Sequence, residues 1–248
     1  MNRTVLITGA AVRLGCVMAD ALARAGWNVV VHANRSTASA HALCLRLAAL
    51  GGHAWPVTGD LLAADGPERV FNAALASAGH VDALVNNASQ FARQPLASAT
   101  SGDFERLWRI NTLAPVRLTQ LLAAHLAARH ATGCVVNLLD QRIAYPNAGA
   151  LPYLLSKKAL EAFTLSSALE LAPALRINAV APGAVLMPVG EESKEPAGAF
   201  PLNRGPSAEQ VADAVRYLLE APAVTGQILY ADGGQHLYPE PQPPISDL

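Results

Sequence analysis

Val5-Leu6-Ile7-Thr8-Gly9-Ala10-Ala11-Val12-Arg13-Leu14-Gly15, residues 5–15, is the stretch that decides the fold. Three apolar residues run into a glycine-bearing turn and an apolar-periodic segment follows, so the order is strand, tight turn, helix. That order places the unpaired N–H groups of a helix N-terminus where an anion can meet them. Gly9 permits the tight turn and Gly15 close helix packing, while Ala10 and Ala11 leave the backbone accessible to a phosphate.

Outward from this stretch, residues 29–32, 54–57, 83–85, 134–139, 176–180 and 227–230 also read as strands, with helical patterns between most of them. The alternation predicts an α/β fold: a single doubly wound parallel sheet of about seven strands, with helices on both faces. Ligands then bind at the carboxyl ends of strands, where the strand order reverses. Helix starts are signalled by Pro67 after Asp65-Gly66, by Asp103 opening a long amphipathic run, and by Ser207 followed by Glu209.

The 248 residues fit one such domain, assigned to 1–238, followed by a Pro-rich tail at 239–248. Apolar residues make up 52% and charged residues 15%, which suits strands buried on both faces. A net charge of -1 offers no footprint for nucleic acid or an anionic membrane. The start shows no signal-peptide pattern and no run reaches the ~18 apolar residues of a membrane span, so a cytoplasmic protein is expected. Cys16, Cys44 and Cys134 are far apart in apolar settings and read as buried free thiols; no metal is expected. Residues 187–206, rich in Pro, Gly and Glu, form a candidate lid over the substrate site.

The second strand ends in His32-Ala33-Asn34-Arg35-Ser36, with no acid to receive a ribose 2′-hydroxyl. Arg35 and Ser36 offer a guanidinium and a hydroxyl to a 2′-phosphate instead, which predicts NADP(H) over NAD(H). Asp60 follows the third strand, where it can receive the adenine amino group, and Asn87 follows the fourth. Gly9, Arg13, Leu14, His32, Asn34, Leu61, Ala88, Pro182 and Gly183 complete the expected cofactor contacts, together with Tyr153 and Lys157. The last two stand four residues apart on a helical segment, so both side chains leave one face. An ammonium there is expected to lower the Tyr153 pKa and make the phenol a proton donor near neutral pH.

The Thr8 to Gly15 turn, Asn86-Asn87-Ala88, Asn111, Tyr153-x-x-x-Lys157 and Pro182-Gly183 together resemble the short-chain dehydrogenase/reductase family over residues 3–238. Within it the chain is similar to pteridine reductases and their bacterial dihydromonapterin reductase relatives. Arg13 stands where most members have a glycine and can reach both phosphate and substrate. Asp140, thirteen residues before Tyr153, replaces the usual serine. Ser89 and Phe91 match residues of pteridine reductases, Phe91 to stack on a flat pterin and Ser89 to hydrogen-bond substrate or cofactor. Pro115 cannot donate to the Asn111 carbonyl, which is left for a water near Lys157, and the family uses this asparagine in its proton relay. Met187 departs from the threonine of many members, and Met187-Pro188 agrees with bacterial pteridine-reductase-like chains.

The resemblance implies a Rossmann-type NADPH-dependent reductase acting on the C=N bond of a pterin, dihydropterin or dihydrofolate-like substrate. Asp140, Tyr153, Lys157 and Asn111 are its expected catalytic residues, and Arg13, Ser89, Phe91, Asp140 and Tyr153 its substrate contacts. It also implies a homotetramer built through the helices of Asp103 and Tyr153 and the C-terminal region. Two other readings remain: a carbonyl reductase acting on a 3-oxoacyl thioester or sugar, which Asp140 and Arg13 oppose, and a non-catalytic NADP(H)-binding regulator, which the retained Tyr153 and Lys157 oppose.

Overall fold

Val5, Leu6 and Ile7 are all fully buried because the strand they form lies inside a sheet covered on both faces. The computed structural model describes residues 3–185 and 200–237. Among these, β1 (Thr4–Ile7), β2 (Asn28–Ala33), β3 (Ala54–Thr58), β4 (Ala83–Asn86), β5 (Gly133–Leu138), β6 (Leu175–Pro182) and β7 (Ile228–Ala231) make one parallel sheet, ordered β3-β2-β1-β4-β5-β6-β7. Each predicted strand is present, with ends moved by a residue or two. The chain leaves β1 toward β3 and then returns to the other side of β1, so the order reverses between β1 and β4.

Alternate strand residues feed two apolar layers. Val5, Ile7, Val29, Val31, Val85 and Val136 face α1 (Arg13–Arg24), α2 (Thr37–Ala48) and α7 (Ala208–Glu220). Leu6, Val30, Leu84 and Val135 face α3 (Gly66–Ala78) and α5 (Ala114–Ala128). A fully buried leucine or valine of this kind contributes about 1.5–3 kcal/mol relative to exposure. The helices α4 (Ser101–Trp108) and α6 (Leu151–Glu170) complete the second face, and Leu160 of α6 packs on Ala179 and Ala181 of β6.

Most start signals hold. Pro67 sits in the first turn of α3, and Ser207 caps α7, where Gln210 rather than Glu209 closes the capping box. Asp103 does not open its helix: Thr100 is the cap and Asp103 returns the bond from the third position, satisfying two terminal N–H groups at once. The long run from Asp103 is also interrupted, since residues Arg109–Leu113 form a π-helical turn between α4 and α5. Cys44 and Cys134 are buried, but Cys16 is only half-buried.

Residues 186–199 and 238–248 lie outside the described residues, and with them the Met187-Pro188 reading, most of the proposed lid and the whole tail. The end of the lid segment is held to the core: Phe200 is buried against Gly205 and Gly233, and the Leu202 N–H donates to the Gly233 carbonyl at 3.1 Å. No helix among the described residues is long and apolar enough to cross a membrane.

Candidate active site

At the reversal point, the turn after β1 is tied to the end of β4. The Thr8 hydroxyl accepts from the Asn87 and Ala88 N–H groups, each at 2.9 Å, and the Asn87 side-chain amide donates to the Thr8 and Gly9 carbonyls at 2.8 and 3.1 Å. Gly9 has φ 64°, the left-handed region that glycine enters without strain. A Cβ on Gly15 would fall on the Gly9 carbonyl oxygen, 2.8 Å from Ala10 Cα and 2.9 Å from Asn87 Nδ2. Gly15→Ala is therefore expected to destabilise the protein by about 1–3 kcal/mol through overpacking. It should also weaken dinucleotide binding at least about tenfold, because the displaced turn is the anion cradle. Thermal melting with and without cofactor, together with a cofactor titration, checks both.

His32 stands behind this turn rather than in the crevice, with 2% of its surface exposed. The Gly9 N–H donates to Nδ1 at 3.1 Å, which leaves the ring hydrogen on Nε2, directed at the Gly59 carbonyl 3.0 Å away. Burial lowers the His32 pKa, against smaller raising effects of Gly59 and Asp60, and so favours this neutral ring. Its role is to join the β1 turn to the end of β3. In front of the turn lies a crevice of about 370 Å³, lined among others by Gly9, Asn34, Arg35, Ser36, Asp60 and Leu62. Asp60 accepts from the Asn34 amide at 3.2 Å and the Leu62 N–H at 3.0 Å, which fixes the crevice wall. Leu61 is buried in the second apolar layer, and Leu62 lines the crevice in its place. Leu14 packs half-buried under the turn, and Arg13 opens α1 with its side chain exposed and φ 55°. Gly183, next to Pro182 at the end of β6, donates its N–H to the Ala231 carbonyl at 3.0 Å.

Next to this crevice the reactive side chains meet. Asp140 follows β5 and caps a short 3-10 turn, Gln141–Ala144, by accepting the Arg142 N–H at Oδ1, 2.9 Å away. Its Oδ2 accepts the Tyr153 hydroxyl at 2.7 Å. Lys157, one turn along α6 and 3% exposed, donates to the Leu138 carbonyl at 2.7 Å; its ammonium lies 5.9 Å from the Tyr153 ring centre. A buried chain holds α6 to the sheet: Asn86 donates to Asn137 at 2.8 Å, Asn137 to Thr164 at 2.9 Å, and Thr164 to the Leu160 carbonyl.

The expected lowering of the Tyr153 pKa is corrected. Burial pushes the phenol well above its usual value, and the charge and hydrogen bond of Asp140 push further in the same direction; Arg142 opposes them. Lys157 is engaged by the Leu138 carbonyl, and burial lowers its own pKa to about 8, against the pull of Asp140. The resting site holds a neutral phenol with a proton to give.

Asn111 lies in the π turn, and its side chain is fully used. It accepts from the Ser89 hydroxyl and the Gln90 N–H, each at 2.9 Å, and donates to the Gln90 carbonyl and the Ser156 hydroxyl, each at 3.0 Å. It thus holds the loop after β4 against α6. The Ser89 proton is committed to Asn111, which leaves its oxygen to accept. Phe91, further along that loop and 47% exposed, meets the Tyr153 ring edge-on at 4.9 Å. Arg142, Gln90, Ser156 and Leu62 are site residues that the sequence reading omits, although each stands within two positions of a residue it names. A larger cavity of about 700 Å³ lies between α1, α2 and α7, where Arg24 and Arg46 pair with Asp20 and Arg216 with Asp213, away from any of this chemistry.

A glycine turn at the reversal point of a parallel sheet, opening beside a paired phenol and carboxylate and a buried lysine, defines an oxidoreductase of the dinucleotide-binding, Rossmann type. The family model described as short chain dehydrogenase matches residues 3–197. Similarity extends over 94% of the chain to pteridine reductase 1 of Leishmania tarentolae, 34% identical across 96% of that protein. A putative ketoacyl reductase 2 of the granaticin polyketide synthase of Streptomyces violaceoruber is 32% identical, over 94% of this chain and 95% of that one. A crystal structure of FolM alternative dihydrofolate reductase 1 from Brucella canis, complexed with NADP, superposes with TM-score 0.85 and 34% identity, over 99% of this chain and 98% of that one. The chain belongs to the short-chain dehydrogenase family.

Proposed function

We propose that the protein uses NADPH to reduce the C=N bond of a pterin, dihydropterin or dihydrofolate-type substrate. The observation that carries this is the 2.7 Å hydrogen bond from Tyr153 to Asp140. Reducing an imine puts hydride on carbon and a proton on nitrogen, and a phenol paired with a carboxylate is a proton store suited to nitrogen. Bound in the crevice, the nicotinamide supplies the hydride. Tyr153 gives its proton to the substrate nitrogen, the Arg142 guanidinium favours the phenolate left behind, and Asp140 passes in the replacement proton. Lys157 orients the nicotinamide ribose, Asn111 fixes the loop of Ser89 to Phe91, and the open Phe91 ring holds the flat substrate beside Tyr153. The named pteridine reductase and alternative dihydrofolate reductase support this reading. The ketoacyl reductase similarity supports a second, carbonyl reduction on the same site.

The crevice fits NADP(H): Gly15 leaves room for the pyrophosphate turn, and Arg35 and Ser36 stand at the crevice with no acid at the end of β2. Arg35→Asp is expected to lower kcat/KM with NADPH by about 10- to 100-fold, as loss of a charge-assisted pairing does, and to narrow or reverse the preference over NADH. Steady-state rates with both cofactors check it. The apolar Leu165 and Leu169 on one face of α6, the latter 84% exposed, support a homo-oligomer joined through that helix.

The function itself is tested by following NADPH oxidation with dihydrobiopterin, dihydromonapterin, dihydrofolate and an acetoacetyl thioester in parallel. Turnover of a pterin or of dihydrofolate is the expected result; turnover of the thioester with all pterins inert establishes the carbonyl reading instead.

A further inference from the structure

Arg142 has an unusual situation for an arginine two residues from a carboxylate. Both oxygens of Asp140 are used, Oδ2 by the Tyr153 hydroxyl and Oδ1 by the backbone N–H of Arg142 itself. The guanidinium does not pair with that carboxylate, and it forms no ion pair within 4.0 Å among the described residues. It lies over the Phe91 ring, 5.4 Å from its centre, and stays half-buried. Phe91 thus contacts both the Tyr153 ring and a cation that has no carboxylate partner among the described residues. A flat ring held by Phe91 beside Tyr153 would lie within reach of the guanidinium.

A half-buried charge lacking a counter-ion is costly unless something pays that cost when the site is filled. A planar fork of N–H donors matches a carboxylate. We propose that Arg142 binds a carboxylate carried by the substrate, so that the enzyme favours a dihydropterin extended by an acidic tail, the chemistry of dihydrofolate, over a neutral dihydropterin. This rests on the pterin reading above and adds the specificity determinant to it. The competing role for Arg142 is packing on Phe91, which would affect both substrates alike.

The test compares kcat/KM for dihydrofolate with that for dihydrobiopterin in wild type, Arg142→Gln and Arg142→Lys. The ratio of the two should fall by about 10- to 100-fold in Arg142→Gln, mainly through KM for dihydrofolate, and recover part of the way in Arg142→Lys. In the wild type the ratio should also fall as salt is raised, because only one of the two substrates is held by charge. An unchanged ratio in Arg142→Gln, with wild type active on both substrates, overturns the role of Arg142 and leaves the pterin reading in place. Wild type inert toward both overturns the pterin reading and this inference with it. Should Arg142→Gln lose all activity, the salt series decides: a wild-type ratio insensitive to salt overturns the proposal.

Discussion

Tyr153→Phe is expected to lower kcat by about 10²- to 10⁴-fold, the usual contribution of a positioned general acid, while cofactor affinity changes little. The ring is buried and its packing against Phe91 does not need the hydroxyl, so the loss reports on proton transfer rather than on folding. Asp140→Asn separates the other half of the pair. It removes the charge that helps hold the phenol above its usual pKa, and rate is lost when the phenol ionises, so the alkaline limb of the pH profile should move to lower pH. A pH profile of kcat for the two variants checks this. An Asp140→Asn limb that stays in place or moves upward would mean that the carboxylate is not coupled to the phenol.

Lys157→Met is expected to cost at least about 100-fold in kcat/KM through the lost contact to the nicotinamide ribose, yet to leave the cofactor-free protein no less stable at pH 7. The reason is the lysine's burial, which lowers its pKa from 10.5 to about 8. A lysine with a depressed folded pKa costs stability below that value, and the cost is relieved as pH rises toward 10.5, because only the unfolded chain then binds the proton. The shift corresponds to about 3 kcal/mol, part of it offset by the bond to the Leu138 carbonyl. Wild type should therefore gain stability between pH 8 and 10.5 relative to Lys157→Met, which lacks that titration. Thermal or denaturant unfolding of both proteins across this range makes the comparison. Parallel pH dependences would show that the ammonium carries no burial cost.

The fold was legible because its information is local. Runs such as Val29 to Val31 are continuous apolar segments only when both faces of a strand are covered, Gly9 marks a left-handed turn and Gly15 a place where a Cβ has no room. Tyr153 and Lys157 were legible from helical spacing taken together with the other motifs of the resemblance. What spacing does not contain is distance to other elements: the Tyr153 hydroxyl lies at Asp140, thirteen residues away, while Lys157, four residues away, bonds to β5. Burial already raises the Tyr153 pKa, and that difference adds to the rise where the sequence predicts a lowering. Whether Leu61 or Leu62 lines the crevice depends on the path of a single turn after β3, and Arg142 carried no pattern of its own. Pro115 foretold a disturbance in its helix, but not that the Asn111 side chain, rather than its carbonyl, would be the part tied to the site loop.

The π turn at Arg109–Leu113 bears on how freely this chain can vary. Successive residues of an ordinary helix diverge by about 100°, so three in a row seldom all have buried tasks. Here they do: Ile110 packs into the sheet layer, Asn111 holds the site loop, and Thr112 donates to the Ser156 carbonyl of α6. A lineage drifting under selection would find almost no silent side-chain exchange at 110–112, whereas exposed Trp108 and Leu113 on either side are open to replacement. The widened turn is a short stretch of inheritance in which architecture and chemistry cannot be revised separately.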